Sequence, residues 1–478
     1  MDRFLPRLVV AAMRGGAGKT ALSVGMAAAW VRRGKKVVPF KKGPDYIDAA
    51  WLSLAAGKAC SNLDLFLMGS ERVVRSFHRN ASPFGLSLIE GNRGLYDGMD
   101  AEGHYSTAEL AKLLKAPVLL IVDGCKITRT AAALVLGCQQ LDRDVNLKGI
   151  ILNRVAGARH ERILRKTIEG ACHLPILGAV PRMEAFPFRE RHLGLIPPQE
   201  HTWVKKALDE LVDLAQGCLD LEKIWAIAES AFPLPEESEG EDDTLFLASG
   251  GPEPTIGVVR DSVFQFYYPE NLERLRAKGA RVKEISALGE RELPAVDALY
   301  IGGGFPETHA EYLAANWRFR KSLKEEIEKG LPVYAECAGL MFLGESLFID
   351  HHQYPMVGVF PVTFGMEKRP QGHGYTEMEV ETKNPFFPAG MTLRGHEFHY
   401  SRILGIPEEG VHFAYRVKRG VGIDGRRDGL CWRNVLASYC HLHSLATPQW
   451  ADSMVQNARL FRSMKEKEGE ALKAGRDG

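Results

Sequence analysis

The sequence lacks several features that would settle its class at once. Its 478 residues include no run approaching the ~20 consecutive apolar residues of a membrane span, so we expect no membrane segment. Lys and Arg together number 61, against 60 Asp and Glu. This balance disfavours a protein that coats nucleic acid, because such proteins carry a basic excess. The opening residues lack the apolar region and cleavage site of a signal peptide, which favours a cytoplasmic protein.

The sequence also lacks the cysteine patterns of disulfide and zinc frameworks. Its 8 cysteines form no CxxC pair and no zinc-ligand spacing, and most are expected to be reduced core residues. The composition is otherwise ordinary, with 45% hydrophobic and 25% charged residues, and it excludes collagen-like and wholly disordered chains. At roughly 150 residues per domain, the length predicts two to four domains. Together these features favour an enzyme that acts on small molecules.

Apolar strands alternate with helical stretches in the first half of the chain. Residues 7–13 are a short apolar run that ends at glycines, and 19–33 have apolar residues at helical spacing before Gly34. Further strands are predicted at 37–40, 86–90, 117–123 and 147–155. Near-continuous apolar strands separated by helices predict a parallel sheet that is covered on both faces. We therefore expect an α/β domain over 1–231.

A second region of alternating strands and helices follows an acidic segment. Residues 232–254 are rich in Pro, Gly and Ser and are predicted to be a linker. Helices are then expected over 268–278 and 310–329, between further apolar strands. We assign 255–455 to a second α/β domain and 456–478 to a charged C-terminal tail.

A glycine-rich loop lies between the first strand and the first helix. It contains Gly15, Gly16 and Gly18 and ends in Lys19 and Thr20. In this context the glycines let backbone N–H groups surround phosphate oxygens, the lysine reaches the outer phosphates, and the threonine hydroxyl reaches Mg²⁺. The helix N-terminus adds partial positive charge. The loop therefore predicts the binding of ATP and Mg²⁺.

Acidic side chains follow two of the predicted strands. Glu90 closes one strand and Asp97 lies beyond it, while Asp45 and Asp48 come just after another strand. The carboxyl ends of parallel strands share one edge of a sheet, so we expect these acids to converge on the nucleotide. Taken singly, each would more often be a solvated loop acid. Asn153 is a candidate to hydrogen-bond the base, with a turn residue as the alternative interpretation.

A cysteine stands where a strand gives way to a helix in the second domain. Cys337 lies between PVYAE and AGLMFL, the strand–turn–helix context of a nucleophile elbow, and that turn is expected to expose the thiol. The candidate base is His441, which follows a short strand. Candidate oxyanion donors are the backbone N–H groups of Ala338, Gly302, Gly303 and Gly304. A lone cysteine is more often a core residue, but the elbow and the glycine run together favour a nucleophile.

These motifs resemble those of the cobyrinic acid a,c-diamide synthase family, which are glutamine-dependent tetrapyrrole amidoligases. The similarity runs from Leu8 to about Pro448. It rests on KKGPDYID (41–48), SNLDLF (61–66), EGNRGLYDG (90–98), RERHLGLIP (189–197), RDSVFQFYYPENLE (260–273), GGGFPE (302–307), AECAGLMFL (335–343) and GHEFHYS (395–401). The resemblance implies a P-loop NTPase-type first domain, similar to dethiobiotin synthetase. It also implies that the second domain is a class I glutamine amidotransferase.

The resemblance also implies roles for the candidate residues. Cys337 is the expected nucleophile towards glutamine, and His441 is expected to activate it. The positions that match family residues handling Mg²⁺, ATP or the reacting carboxylate are Thr20, Asp45 and Glu90, with Asp97 in the same signature. The candidate substrate-binding residues are Asp48, Arg182, Arg189, Arg191 and His192. A solvated basic surface is the alternative for the arginines and the histidine.

Two positions depart from the wider pattern. The loop reads MRGGAGKT, where the family usually has GxxSGxGKT, so ATP use is retained while the acceptor is less firmly specified. Many class I amidotransferases carry Glu two residues after the catalytic His, and here that residue is His443. The family tends to lack this Glu as well, so the departure does not argue against membership. It leaves open which group orients His441.

The function implied is ATP-dependent amidation of the a and c acetate groups of cobyrinic acid with ammonia from glutamine. The expected partners are therefore ATP, L-glutamine and a carboxylated tetrapyrrole, with no nucleic acid and no membrane, and a homodimer is compatible with this function. The nearest competing function is the same chemistry on a sirohydrochlorin-type ring or sirohaem. A partitioning or regulatory ATPase is a more distant hypothesis, and a second domain that is a degenerate binding module is a third.

Overall fold

The computed structural model describes residues 2–182, 190–191, 194–195, 198, 203–235, 253–406 and 411–474. The chain divides into two compact units, Met1–Ser238 and Glu239–Gly478. Each unit is built around its own large sheet. Within the described ranges, no helix is both long enough and apolar enough to cross a membrane.

The first unit is built on a sheet of seven parallel strands. In order across the sheet they are Ser61–Leu63, Val37–Lys42, Leu86–Glu90, Arg7–Ala12, Val118–Asp123, Leu147–Val155 and Ile176–Pro181. The central strands are almost wholly buried, as expected for a sheet that is covered on both faces. The parallel α/β arrangement predicted for this part of the chain is confirmed.

Helices separate and follow these strands. They are Lys19–Arg32, Ile47–Ala56, Leu65–Asn80, Thr107–Leu113, Thr130–Leu141, Ala158–Cys172, Val204–Cys218 and Leu221–Glu229. Two short antiparallel pairs complete the unit: Asp2–Arg3 with Leu234–Pro235, and Glu190–Arg191 with Gly194–Leu195. Parallel neighbours need a crossover connection, and the helices supply it.

The second unit contains a ten-stranded sheet. In order its strands are Arg281–Ile285, Thr255–Val259, Ala298–Ile301, Val333–Glu336, Val435–Ser438, Arg427–Trp432, His412–Arg419, Gly372–Val380, Thr392–His399 and His441–Leu442. The first five strands are parallel, and the remaining pairings are antiparallel. The fifth and tenth strands lie at opposite ends of the antiparallel half, yet two residues separate them along the chain. The antiparallel half must therefore curl round on itself.

Smaller elements surround this sheet. The helices are Pro269–Ala277, Ala310–Ala315, Trp317–Glu328, Ala338–Leu343 and Gln449–Ala474, with a 3₁₀ turn at Pro306–His309. A four-stranded sheet runs in the order His352–Pro355, Ser346–Ile349, Thr363–Met366 and Ser401–Ile403. A two-stranded pair joins Phe264–Phe266 to Gly303–Gly304.

One element of the second unit differs from the sequence prediction. The helix expected over 310–329 is broken at Asn316, whose side-chain amide donates to the carbonyls of Ala287 and Glu290, each at 2.8 Å. The charged segment from 456 continues the final helix as far as Ala474. This helix packs on the unit in its first part, where Phe461 is buried.

A glycine lets the helix after Cys337 lie directly on a neighbouring strand. The N–H of Gly339 donates to the carbonyl of Gly302 at 3.1 Å. A Cβ at Gly339 would meet the carbonyl oxygen of Ile301 and would lie 3.0 Å from the Cβ of that residue. Backbone atoms of a central strand cannot yield as a flexible side chain can, so the contact tolerates glycine alone.

We therefore expect Gly339→Ala to destabilise the second unit by about 1–3 kcal/mol through overpacking. Chemical denaturation followed by circular dichroism measures the change in the free energy of unfolding. The matched control is Gly469→Ala, because a Cβ at that helical position meets nothing within 4 Å. The control should be neutral or more stable by up to ~1 kcal/mol, since alanine favours helix over glycine. Equal stability of the two variants would contradict the packing argument.

Candidate active sites

The glycine-rich loop of the first unit adopts the conformation of a phosphate-binding loop. Gly16 and Gly18 have φ values of 67° and 93°, in the left-handed region that glycine adopts without strain. The helix Lys19–Arg32 begins directly after Gly18. The Nζ of Lys19 folds over the loop and donates to the carbonyls of Arg14 and Arg93, at 3.5 and 2.6 Å. Burial lowers the pKa of Lys19, and the nearby Lys41 ammonium lowers it further.

Asn153 supports this loop from a neighbouring strand. Its Nδ2 donates to the carbonyl of Ala17 at 2.8 Å, and its Oδ1 accepts from the N–H of Arg154 at 2.9 Å. A Cβ at Gly18 would meet Nδ2 of Asn153, and the φ of 93° at Gly18 favours glycine there independently. Both polar atoms of the Asn153 side chain are engaged within the chain. A contact from Asn153 to the nucleotide base stays a prediction.

A buried ion cluster joins the loop to the predicted acids. Lys41, at 1% exposure, donates from Nζ to Asp48 at 2.7 Å and to Glu90 at 2.8 Å. Thr20 Oγ1 donates to Glu90 Oε1 at 2.8 Å. Asp45 joins the cluster by accepting the N–H of Asp48 at 2.8 Å. Four of the predicted residues are thus brought together around Lys41, which the sequence analysis missed.

Burial sets the protonation of this cluster. It raises the pKa of Glu90 to about 7 and that of Asp45 to about 6, with repulsion from Asp48 adding to both shifts. Burial also lowers the pKa of Lys41, but the three neighbouring carboxylates raise it by more, so the ammonium stays charged. The signal for Lys41 was present in the sequence as two lysines directly after a buried apolar strand.

The donor set fits a Mg²⁺–nucleotide complex. Glu90 Oε2 is buried and has no hydrogen-bond partner among the described residues, although the other oxygen of the same carboxylate has two. The Thr20 hydroxyl lies beside it, at the start of the helix that follows the loop. Hard oxygen ligands of this kind suit Mg²⁺. Thr20 and Glu90 are therefore the residues best placed to hold the ion, with Asp45 close by.

The remaining predicted residues of the first unit lie outside this cluster. Asp97 is exposed and accepts the N–H of Gly94 at 2.8 Å, which fixes the turn after Glu90. Arg182 is exposed at the end of the last strand. Arg189 and His192 lie outside the described residues. Arg191 lies in the short Glu190–Arg191 strand, and its role as a substrate-binding residue stays a prediction.

The second unit holds Cys337 at a strained elbow. Its φ and ψ are 49° and −98°, a conformation that costs a non-glycine residue on the order of 1–3 kcal/mol. The strand Val333–Glu336 ends immediately before it and the helix Ala338–Leu343 begins immediately after. The N–H of Cys337 donates to the carbonyl of Ser438 at 2.8 Å, which ties the elbow to the adjacent strand. This is the strand–turn–helix geometry predicted from the sequence.

The prediction that the elbow exposes the thiol is wrong in this structure. Cys337 is 5% exposed, and its Sγ lies 4.0 Å from the carbonyl oxygen of Phe398. Burial raises the pKa of the Cys337 thiol, and the nearby Glu307 carboxylate raises it further, whereas the N–H of Ala338 opposes the shift. The resting sulfur is therefore a protonated thiol. A base must remove its proton before the sulfur can attack.

His441 is anchored beside the residue that precedes the nucleophile. Its Nδ1 lies 3.6 Å from Oε2 of Glu336, and both side chains are buried. The adjacent N–H of Leu442 donates to Oε1 of Glu336 at 2.9 Å. On the other side of the ring, a Cβ at Gly303 would lie 3.3 Å from His441 Nε2. The imidazole therefore lies between the glycine run and the end of the strand that carries Cys337.

The candidate oxyanion donors divide into two groups. The N–H of Gly302 donates to the hydroxyl of Tyr267 at 2.7 Å, so the expectation that Gly302 supplies an oxyanion donor is wrong. Gly303 lies beside His441, and Gly304 has a φ of 156° that favours glycine. The N–H of Ala338 faces the sulfur. Ala338, Gly303 and Gly304 remain predictions for this role.

The buried ion cluster yields a stability prediction. Lys41→Met would leave Asp48 and Glu90 without the cation that compensates them, and breaking a buried pair in this way costs about 3–5 kcal/mol. The loss should be smaller at pH 5 than at pH 8, because Glu90, whose pKa burial already raises to about 7, then takes up a proton. The loss is measured as the change in the free energy of unfolding, from the transition of the first unit in urea. Lys35→Met, which removes the surface contact of Lys35 with Glu222 at 2.9 Å, should change the free energy of unfolding by less than ~1 kcal/mol. Equal losses in both variants would contradict the assigned burial.

Comparisons with known proteins agree with both halves of this arrangement. A family model described as the CobQ/CobB/MinD/ParA nucleotide binding domain matches residues 8–193. A second, described as the CobB/CobQ-like glutamine amidotransferase domain, matches residues 255–449. The P-loop and class I amidotransferase domains predicted from the motifs are confirmed.

Curated relatives match almost the whole chain. The cobyrinate a,c-diamide synthase of Magnetococcus marinus is 43% identical over 96% of this chain and 97% of that protein. The enzymes of that name from Archaeoglobus fulgidus and Methanothermobacter thermautotrophicus are 41% and 39% identical, each over 95% of this chain and over 98% and 100% of their own lengths. The resemblance drawn from the motifs is thereby confirmed, and the chain belongs to the cobyrinate a,c-diamide synthase family.

Proposed function

We propose that this chain amidates the a and c acetate carboxylates of cobyrinic acid, using ATP and the ammonia that it releases from glutamine. The proposal assigns the ATP-dependent centre to 1–231 and the glutaminase centre to 255–455. It places the reaction in the cytoplasm, where ATP and glutamine are both available. The observation that carries it is the presence of two different reactive centres in one chain: a phosphate loop linked to a buried ion cluster, and a strained cysteine with a histidine anchored nearby.

The first centre has to make a carboxylate reactive. A carboxylate resists attack because its charge repels nucleophiles and because oxide is a poor leaving group. Transfer of the γ-phosphoryl group of ATP to the carboxylate oxygen gives an acyl phosphate and ADP, and phosphate can then leave when ammonia attacks. Catalysis of phosphoryl transfer is mainly positioning and charge neutralisation. The loop N–H groups and Lys19 are placed for that work on the transferred phosphoryl group.

The buried ion cluster supports the same step. When bound, Mg²⁺ would neutralise charge on the phosphate oxygens, and Thr20 and Glu90 are the residues placed to hold it. Lys41 donates to both Glu90 and Asp48, and these two contacts fix the positions of the carboxylates. Asp45 accepts the N–H of Asp48 and adds a third carboxylate to the cluster.

The second centre supplies the nitrogen. His441 takes the proton from the Cys337 thiol, and the thiolate attacks the side-chain amide carbon of glutamine. Collapse of the tetrahedral intermediate breaks the C–N bond, and the protonated His441 gives its proton to the departing ammonia. Water, deprotonated by His441, then hydrolyses the thioester to release glutamate. Backbone N–H groups near the elbow would hold the oxyanion in both steps.

Cys337→Ala tests whether glutamine hydrolysis and ATP-dependent amidation take place at separate centres. Without the sulfur, turnover with glutamine should fall to background, while turnover with ammonium chloride should persist because the ATP-dependent centre is intact. Amide formation can be followed by mass spectrometry of the corrinoid product. Cys431→Ala, a second buried cysteine of the same unit, should retain turnover with glutamine. Loss of both activities in a well-folded Cys337→Ala variant would contradict the proposal.

The acceptor is tested by direct competition between macrocycles. Cobyrinic acid and sirohydrochlorin are mixed at equal concentration with ATP and glutamine. The masses of the products are then measured by mass spectrometry. We expect cobyrinic acid to gain two amides, each lowering the mass by about 1 Da, with a larger kcat/KM than sirohydrochlorin. Faster amidation of sirohydrochlorin, with cobyrinic acid left unchanged, would overturn the assigned acceptor and leave the two-centre chemistry in place.

A further inference from the structure

The histidine two residues after His441 cannot act as the carboxylate that many class I amidotransferases have there. His443 is fully buried, and burial together with the nearby Arg274 guanidinium lowers its pKa to about 3. Its Nε2 faces Glu270 at 3.7 Å, and its ring packs on Tyr268 with centroids 4.5 Å apart. His443 is therefore neutral at physiological pH. It offers no negative charge to an imidazolium at His441.

A carboxylate reaches His441 from a different element. Glu336 is the last residue of the strand before the elbow, and its exposure is 0%. Its Oε2 lies 3.6 Å from Nδ1 of His441, and its Oε1 accepts the N–H of Leu442 at 2.9 Å. One carboxylate thus contacts both the imidazole and the backbone that carries it. Such contacts are often long in a resting enzyme and tighten when charge develops.

Neighbouring side chains fix the position of this carboxylate. The hydroxyl of Tyr300 donates to Oε2 of Glu336 at 2.8 Å. Asn271 donates to the carbonyl of Leu442 at 2.9 Å and accepts the N–H of Ser444 at 2.7 Å, which holds the segment after His441 in place. The carboxylate and the histidine segment are therefore both held from outside. These contacts add to the hydrogen bond from the N–H of Leu442 to Glu336.

A second imidazole stacks on His441 and is neutral. His396, from the strand Thr392–His399, stacks on it with ring centroids 4.9 Å apart. Burial and repulsion from the histidines around it lower the pKa of His396 well below its usual value. The hydroxyl of Tyr268 contacts Nδ1 of His396 at 3.3 Å. Glu336 therefore brings a carboxylate to within 3.6 Å of Nδ1 of His441, where His396 brings a neutral ring.

We propose that Glu336 is the positioning residue of the glutaminase centre. It takes the role that many class I amidotransferases give to a Glu two residues after the catalytic His. The inference rests on the proposed function, because it needs Cys337 and His441 to hydrolyse glutamine. The Glu336 carboxylate, 3.6 Å from Nδ1 of His441, favours the tautomer that carries its proton on Nδ1, and this leaves the Nε2 lone pair available to take the thiol proton. When Nε2 gains that proton, the Glu336 carboxylate balances the positive charge. The proton then passes from Nε2 to the departing ammonia.

Glu336→Gln tests the role. The Gln side-chain oxygen can still accept the N–H of Leu442, but its amide NH₂ would then face Nδ1 of His441. The imidazole must carry its proton on Nε2 to avoid two opposed donors, and that tautomer cannot act as the base towards the thiol. Glutaminase kcat should fall by up to roughly 10⁴-fold, the loss that the equivalent change causes in a serine protease triad. The KM for glutamine should change by no more than a few-fold, because the variant removes no contact to the substrate.

The tautomer of His441 would not change if Glu336 had only a structural role, so measuring it tests the proposed role directly. In ¹⁵N-labelled protein, the two-bond correlations of the His441 ring report which nitrogen carries the proton, and the missing signals in His441→Gln assign them. We expect Nδ1–H in the wild type and Nε2–H in Glu336→Gln. Asp297→Asn is the matched control, since Asp297 is a buried acid of the same unit that accepts the N–H of Thr255 at 2.8 Å. It should keep the wild-type kcat and tautomer.

The outcomes separate this inference from the function on which it rests. Wild-type glutaminase activity with an undiminished kcat in Glu336→Gln would overturn the role of Glu336 alone. Nε2–H in the wild type would overturn it too, and this holds even if the variant fails to fold. No glutaminase activity in the wild type would instead overturn the proposed function. A near-UV circular dichroism spectrum and a second-unit unfolding transition like those of the wild type show that Glu336→Gln is folded.

Discussion

Parallel strands end at one edge of their sheet, and both reactive centres of this chain depend on that constraint. In the first unit, Lys41 is the register partner of Glu90 on adjacent strands, and the phosphate loop follows the next strand along. In the second unit, Glu336 is the register partner of Ser438, so Cys337 and His441 follow neighbouring strands. Residues that are far apart in sequence therefore meet because their strands are in register.

Burial then decides what those residues can do. In the first unit it would neutralise Glu90 and Asp45, and Lys41 opposes this by holding a positive charge among them. In the second unit it keeps the Cys337 thiol protonated until a base acts. The two centres thus treat charge differently. The first holds a buried ammonium group among its carboxylates before its ligand arrives, whereas the second creates charge during the reaction.

The motifs were enough to predict the elements of both centres, but not their surroundings. The elbow at Cys337 could be predicted because a strand, a turn and a helix are local features of sequence. Its burial could not, because the backbone at Phe398 that lies near the sulfur belongs to a strand some sixty residues further on. Lys41 and Glu336 were missed for a related reason. Each is a charged residue at the end of an apolar strand, and only the neighbouring strands show that it faces a site rather than solvent.

The position of Glu336 has a consequence for how the elbow works. When an acid follows the histidine by two residues, it is tied to the base, and the nucleophile is positioned independently. Here the acid is joined to Cys337 by one peptide bond, and it also holds the N–H of Leu442. A shift of the strand end would therefore move the nucleophile and the acid together and would draw the histidine segment with them. The strained backbone at Cys337 is tolerated because the end of one strand holds the nucleophile, the acid and the histidine segment together.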